Sequence, residues 1–276
     1  MRAAPRSRDC IISCISSLLW VTRIAYFGFV YMVAALAVPA SAADDPTAVV
    51  ARVKGSIVAI GTFERTRTPQ FSFRGTGFAV DDGTLIVTNA HVLPSVLDSD
   101  RMEQQGILIP QAGNIASFRE ARIVAMDPGA DLALLKISGA SLPALRIGDS
   151  DTVKEGQPIL MSGFPIGSAL GPFVATHRGI IAAIAPIAIP QAQSGNLDAR
   201  LIRRLAQGTF NIFQLDATAY PGNSGSPIYD PVTGDVFGVV NMVLVKATKE
   251  AAIAQPTGIT YAVPSKYLAE LLRKAR

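Results

Sequence analysis

Ten short β-rich stretches, each closed by turn residues, constrain this chain more than any other feature. They lie at 56–62, 77–80, 85–88, 121–126, 132–137, 158–161, 179–185, 209–215, 236–243 and 258–263. Gly, Asp, Asn and Pro punctuate them, as in Asp81-Asp82-Gly83 and Asp127-Pro128-Gly129, and residues of these types favour turns over strand interiors. This spacing predicts an all-β barrel or sandwich rather than alternating β and α units. An apolar fraction of 49% against 17% charged residues excludes a disordered chain. Two stretches read as helices. One is 197–206, with Leu197, Leu201, Ile202 and Leu205 on one side and Arg200, Arg203 and Arg204 elsewhere. The other is 265–274, where Ser265 is placed to cap and basic residues close the last turn. The polar, turn-rich segment 148–156 is the expected linker between two halves.

The formal charge of +4 points to no anionic partner once the charges are located. Residues 1–42 carry Arg2, Arg6, Arg8 and Arg23 against Asp9, and both cysteines, Cys10 and Cys14. The remainder holds 21 basic and 20 acidic residues. An Arg-bearing start, the apolar run 24–38 and then Pro39 and Ala40-Ser41-Ala42 follow the order of a secretory signal, with cleavage expected after Ala42. An uncleaved anchor is the competing reading, since 11–38 carries only Arg23 as a full charge. Either way the chain is expected to be periplasmic or secreted by bacterial export, touching a membrane only through this segment. The exported body, 43–276, has no cysteine and needs no disulfide at its size.

Three residues in the body carry hydrolytic chemistry when taken together. His91 sits in Thr88-Asn89-Ala90-His91-Val92, just beyond an apolar strand. Asp131 opens Asp131-Leu132-Ala133-Leu134-Leu135-Lys136-Ile137. Ser224 lies in Pro221-Gly222-Asn223-Ser224-Gly225-Ser226-Pro227, where glycines allow tight turns. Each alone also reads as a structural histidine, a strand-end acid and a glycine-rich hairpin. In the order His, Asp, Ser, 40 and then 93 residues apart, they supply a hydroxyl nucleophile, an imidazole to take its proton and a carboxylate to orient the imidazole. His177, the other histidine, has no catalytic neighbour in sequence and is expected to be structural or at the surface. A metal site is not supported by this histidine and cysteine content, and no cofactor is expected. Nucleic-acid binding is not supported, since basic residues are not interleaved with aromatics.

These segments resemble the trypsin-like serine peptidases, most closely the bacterial HtrA/Deg branch. Gly75-Thr76-Gly77-Phe78, the segments around His91, Asp131 and Ser224, Ile147-Gly148-Asp149-Ser150-Asp151, Gly163-Phe164-Pro165-Ile166-Gly167 and Tyr261-Ala262-Val263-Pro264-Ser265 carry the likeness. It implies an all-β fold of two six-stranded β-barrels with a short C-terminal helix. The first barrel would span about 47–150, the second about 157–264 and the helix 265–274, within a protease domain of 43–276. His91 and Asp131 would come from the first barrel and Ser224 from the second. An oxyanion hole would use the N–H groups of Gly222 and Ser224, with Asn223 acting through its main-chain conformation. The segment 216–221 and the strand 239–242 would line a specificity pocket, with Thr218, Tyr220, Val240 and Asn241 as its substrate-binding residues. An acid at the Thr218 position selects basic side chains in trypsin-like enzymes, so a small or medium apolar side chain is expected here.

Departures from the pattern have physical content. Asn223 replaces the aspartate of the digestive enzymes, so an ion pair with a freed N-terminus is not expected. Ser226 stands where a second glycine is common and fits only with negative φ. The segment 185–208 exceeds the usual connection, and a C-terminal PDZ domain is not expected within this length. The expected function is an exported serine endopeptidase acting on polypeptides through an acyl-enzyme, in protein quality control. The alternatives are a catalytically weak or inactive peptide-binding, chaperone-like module, or a protease whose loops a partner must order. Oligomers are compatible with each.

Overall fold

Runs of alternating and doubly apolar strand sequence close here into two barrels. The computed structural model describes residues 45–111, 115–167, 171, 173–186, 211–241 and 259–275. The expected signal or anchor at 1–42, the expected helix at 197–206 and the end of the expected strand 236–243 lie outside them. Strands β1 (Ile57–Phe63), β2 (Phe71–Val80), β3 (Leu85–Asn89), β4 (Gln104–Pro110), β5 (Ala116–Asp127) and β6 (Leu132–Ile137) form the first barrel, in the order β1-β2-β3-β6-β5-β4. Strands β7 (Pro158–Gly163), β8 (Ala175–Pro186), β9 (Asn211–Asp216), β10 (Pro227–Tyr229), β11 (Val236–Val240) and β12 (Ile259–Pro264) form the second, in the order β10-β11-β12-β9-β8-β7. Among the described residues all strand pairs within the barrels are antiparallel. The fold is therefore all-β, two six-stranded barrels with a short C-terminal helix.

Apolar residues fill three layers. Val58, Ile60, Ala79, Ile86, Ile107, Ala133 and Leu135 pack inside the first barrel. Ile159, Met161, Ile181, Phe213, Leu215, Ile228 and Val240 pack inside the second. Phe78, Leu132 and Leu134 of the first barrel meet Leu160, Phe164, Tyr229 and Val263 of the second in a layer between them. Strand β6 explains why its sequence lacks alternation: Leu132 and Leu134 face the inter-barrel layer, while Ala133 and Leu135 face the first barrel's interior. A strand buried on both faces reads as a continuous apolar run. Each fully buried leucine contributes about 1.5–3 kcal/mol, so this layer holds the barrels in one register and with them the residues across their cleft.

Helix α1 (Thr47–Lys54) precedes β1, and helix α2 (Ser265–Ala275) follows β12. α2 buries Leu268 and Leu271, three apart on one face, in the inter-barrel layer. Its start differs from the expected self-capping by Ser265. The Ser265 hydroxyl donates to the Gly148 carbonyl at 2.7 Å, while the Ser150 hydroxyl accepts the Lys266 N–H at 3.0 Å. The segment expected as a linker is thus docked on α2. It carries a single 3-10 turn, Ser150–Thr152, whose Asp151 N–H is accepted by the Asp149 carboxylate at 2.9 Å.

Three elements were not expected from sequence. α1 has three Val and one Thr among its eight residues, types that are poor helix formers, and it has no side-chain cap. Its Val49 and Val53 are held by the inter-barrel layer, and Arg52 donates to the Thr233 carbonyl at 2.6 Å. β4 contains Gly106 and ends on Pro110, and β10 starts on Pro227 and has only three residues. Both sequences read as breakers, and pairing supplied by neighbouring strands overrides that.

Candidate active site

Asp131 reaches His91 because two neighbouring strands end side by side. β3 pairs with β6 so that Asn89 lies opposite Leu132. The 3-10 turn Ala90–Val92 then begins where β6 starts. Asp131 adopts φ of 55°, a left-handed conformation that short polar residues tolerate. Its carbonyl accepts the Ala90 N–H at 3.1 Å and the Asn89 side-chain amide at 3.0 Å, which fix this backbone. The Asp131 carboxylate then accepts the His91 N–H at 2.9 Å through Oδ1 and meets His91 Nδ1 at 2.5 Å through Oδ2. His91 Nε2 lies 3.0 Å from Ser224 Oγ across the cleft. A carboxylate on one ring nitrogen sets the tautomer that leaves the other free to accept a proton.

The loop carrying Ser224 orders its peptide groups in alternation. The Asn223 N–H donates to the Tyr220 carbonyl at 3.0 Å, and the Gly225 N–H to the Val240 carbonyl at 3.0 Å. Among the described residues, no hydrogen bond takes up the N–H of Gly222 or of Ser224. The four carbonyls of 221–224 are all engaged. Pro221 accepts from the Ile166 N–H at 2.8 Å, Gly222 from the Thr76 hydroxyl at 2.7 Å, Asn223 from the Ser226 N–H at 3.0 Å and Ser224 from the Thr76 N–H at 2.8 Å. A trans peptide points its N–H opposite its C=O, so the Gly222 N–H is aimed away from Ile166. Two unengaged N–H groups one residue apart, flanking a hydroxyl nucleophile, can stabilise a developing oxyanion.

Glycine is required at two points of this loop. Gly222 has φ of +105°, and a Cβ there would stand 2.3 Å from the Phe164 carbonyl oxygen. Gly225 has φ of +87°, and a Cβ there would stand 2.0 Å from the Thr76 carbonyl oxygen. Ser226 is not among the residues with positive φ, which is what a side chain at that position needs. Its Oγ lies 2.0 Å from where a Cβ on Gly163 would be, so Gly163 makes the room.

The residues expected to line a specificity pocket divide. Thr218 and Tyr220 are half-buried on the segment leading to Ser224. The Tyr220 ring stands 6.4 Å from that of His177, on β8, whose wholly buried Nε2 has no partner among the described residues. Burial holds the His177 pKa below its ordinary value. Val240 is fully buried in the second barrel's core, so its side chain offers nothing to a substrate. Asn241 is 1% exposed, and its Nδ2 donates to Asp131 Oδ2 at 2.8 Å. The side chain expected to meet substrate instead braces the acid from the other barrel. No sequence spacing flagged that contact, because Asn241 and Asp131 are 110 residues apart. Among the described residues no group of three or more His, Cys, Asp or Glu could hold a metal ion.

Comparison with known proteins bears on the family and the fold. A family model described as a trypsin-like peptidase domain matches residues 75–239. A probable periplasmic serine endoprotease, DegP-like, of Pseudomonas putida is 29% identical over 191 residues, covering 69% of this chain and 32% of that protein. The chain thus spans about a third of the length of such curated relatives. The structure of the HtrA-type protease AlgW with a decapeptide superposes with a TM-score of 0.59 at 23% identity, covering 84% of this chain and 67% of the other. The crystal structure of Deg5 does so with a TM-score of 0.55 at 23% identity, covering 81% and 90%. At such identities the two structures speak for the fold alone.

Proposed function

Since the chain belongs to the trypsin-like peptidase family, we propose that it is an exported serine endopeptidase of the HtrA type that cleaves polypeptides. One observation carries the reading. Asp131, His91 and Ser224 form a continuous relay, at 2.5 Å and 3.0 Å, that spans the two barrels. In the proposed reaction Ser224 Oγ attacks the scissile carbonyl carbon while His91 Nε2 takes the hydroxyl proton. Asp131 holds the ring and stabilises the imidazolium. The carbonyl oxygen becomes an oxyanion received by the N–H groups of Gly222 and Ser224. Collapse breaks the C–N bond, His91 returns the proton to the leaving amine, and an acyl-enzyme forms on Ser224. Water, deprotonated by His91, then attacks the acyl carbon, the ester C–O bond breaks, and His91 returns the proton to Ser224 Oγ as the acid product leaves.

Export rests on the order of the first 42 residues and on the relatives' description as periplasmic. Among the described residues no helix is long and apolar enough to cross a membrane. The domain limits proposed are a leader at 1–42 and a protease body at 43–276. Protein quality control is the proposed setting.

A fluorophosphonate probe should label the wild-type chain covalently and leave Ser224→Ala unlabelled, and the same substitution should abolish cleavage of an unfolded protein substrate. A wild type that resists the probe across the pH range over which histidine titrates would sink the enzymatic reading.

A further inference from the structure

Thr76 belongs to β2 of the first barrel and is fully buried, yet its polar atoms serve segments of the second. Its hydroxyl donates to the Gly222 carbonyl at 2.7 Å and accepts the Phe164 N–H at 3.1 Å. Its N–H donates to the Ser224 carbonyl at 2.8 Å. Its own carbonyl accepts the Thr88 hydroxyl at 2.8 Å, which secures the strand position from which it reaches.

We propose that the Thr76 hydroxyl is a positioning residue for the oxyanion hole, acting through the Gly222 carbonyl. The inference rests on the peptidase reading above. Gly222 lies in a region of φ open to glycine alone, and a glycine peptide rotates at little steric cost. Something outside the loop must therefore hold the Gly222–Asn223 peptide plane. The Asn223 N–H bond to Tyr220 holds one end of that plane, and the Thr76 hydroxyl holds the other. With the plane fixed, the N–H groups of Gly222 and Ser224 keep one mutual orientation.

The second bond of the hydroxyl extends its reach. Phe164 and Ile166 share one short segment, and the Ile166 N–H fixes the Pro221 carbonyl, the other half of the peptide that presents the Gly222 N–H. The hydroxyl thus ties one peptide flanking Gly222 to the first barrel directly and reaches the other only through the segment that carries Phe164 and Ile166. Valine has the shape of threonine and the same preference for strands, so at this position only the hydroxyl distinguishes the two. Its loss takes from the Gly222 carbonyl and the Phe164 N–H the partner they have in this structure.

The test compares Thr76→Val and Thr76→Ser with the wild type in the full chain. Ser224→Ala serves as the inactive control, and melting is followed in parallel. A displaced donor at a reacting centre costs about 10- to 100-fold in rate. Thr76→Val should therefore lower kcat by about that factor with KM within about twofold, and weaken a peptide boronate, which mimics the tetrahedral state, by a similar factor. A product peptide should bind Thr76→Val as it does the wild type, since it forms no oxyanion. Thr76→Ser should restore kcat and boronate affinity to within about threefold. Should Thr76→Val fail to fold, Thr76→Cys, whose thiol is a weak donor, should give the same split to a smaller degree. Unchanged boronate affinity in the folded valine or cysteine variant, or a loss that serine does not restore, overturns the assignment. A wild type that neither labels nor turns over sinks the peptidase reading and this proposal with it. A labelled wild type with an equally active Thr76→Val overturns the role of the hydroxyl alone.

Discussion

The acid and base stand on strand ends of one barrel, whereas the nucleophile stands on a loop of the other. On the first side a single strand pairing does most of the positioning. β3 and β6 are hydrogen-bonded neighbours, so residues 40 apart in sequence become adjacent, and the Asp131 backbone is fixed by Asn89 and Ala90 beside it. On the second side the four carbonyls of 221–224 are held by Ile166, Thr76 and Ser226, which belong to three segments and both barrels. Support also crosses the cleft in each direction. Asn241, just after β11, braces Asp131, and Thr76, on β2, braces the loop of Ser224. The first half is assembled by sheet register, and the second by tertiary contact. Rate should thus fall most when a residue of the relay is removed from either half, and fall by smaller steps when one brace of either half is removed.

After loss of the nucleophile itself, the largest step tests the first half. Asp131→Asn should lower kcat by about 10⁴-fold, the loss expected when a triad carboxylate is replaced by an amide that favours the wrong tautomer. Melting should change little, because asparagine also accepts the left-handed backbone that Asp131 adopts. A loss below about tenfold would mean that the carboxylate does not set the ring. The next step tests the brace between barrels. Asn241→Leu removes one donor to an ionised group, an interaction of roughly 1.5–3 kcal/mol, and should lower kcat by about 10- to 100-fold with KM nearly unchanged. An effect on KM alone would return Asn241 to the substrate pocket and weaken the comparison.

The smallest step is a pH effect on the second half. Burial holds the His177 pKa below its unfolded value near 6.5. The unfolded chain therefore takes up the proton first as pH falls, and this histidine's contribution to stability declines from about pH 6.5 toward its folded pKa. His177→Gln should reduce the drop in melting temperature between about pH 7.5 and about pH 5. Because His177 is only partly buried, the effect should be modest. An unchanged acid limb in the variant would show that His177 titrates freely, despite its buried Nε2.

Much of this was legible in the chain itself. Period-two and doubly apolar runs follow from burial on one or both faces of a strand, so most strands and an all-β barrel or sandwich could be read along the sequence, while the two six-stranded barrels were what the family resemblance implied. The residues of the relay were legible because chemistry restricts their types and because glycine fills the two strained positions beside the nucleophile, Gly222 and Gly225. What tertiary structure alone decided is which neutral groups hold them. A threonine in a strand, an asparagine after one and a valine beside it are ordinary strand residues. Closure of the barrels made Thr76 a support for Gly222, Asn241 a partner of Asp131 and Val240 a core residue. The same closure made α1 helical despite its β-branched residues and β10 a strand despite its proline. Local preference is worth a few tenths of a kcal/mol per residue, and burial together with pairing outweighs it. Hydrogen bonds between segments some hundred residues apart leave no periodic trace in a sequence, and in this protein such bonds hold the nucleophile's loop in place.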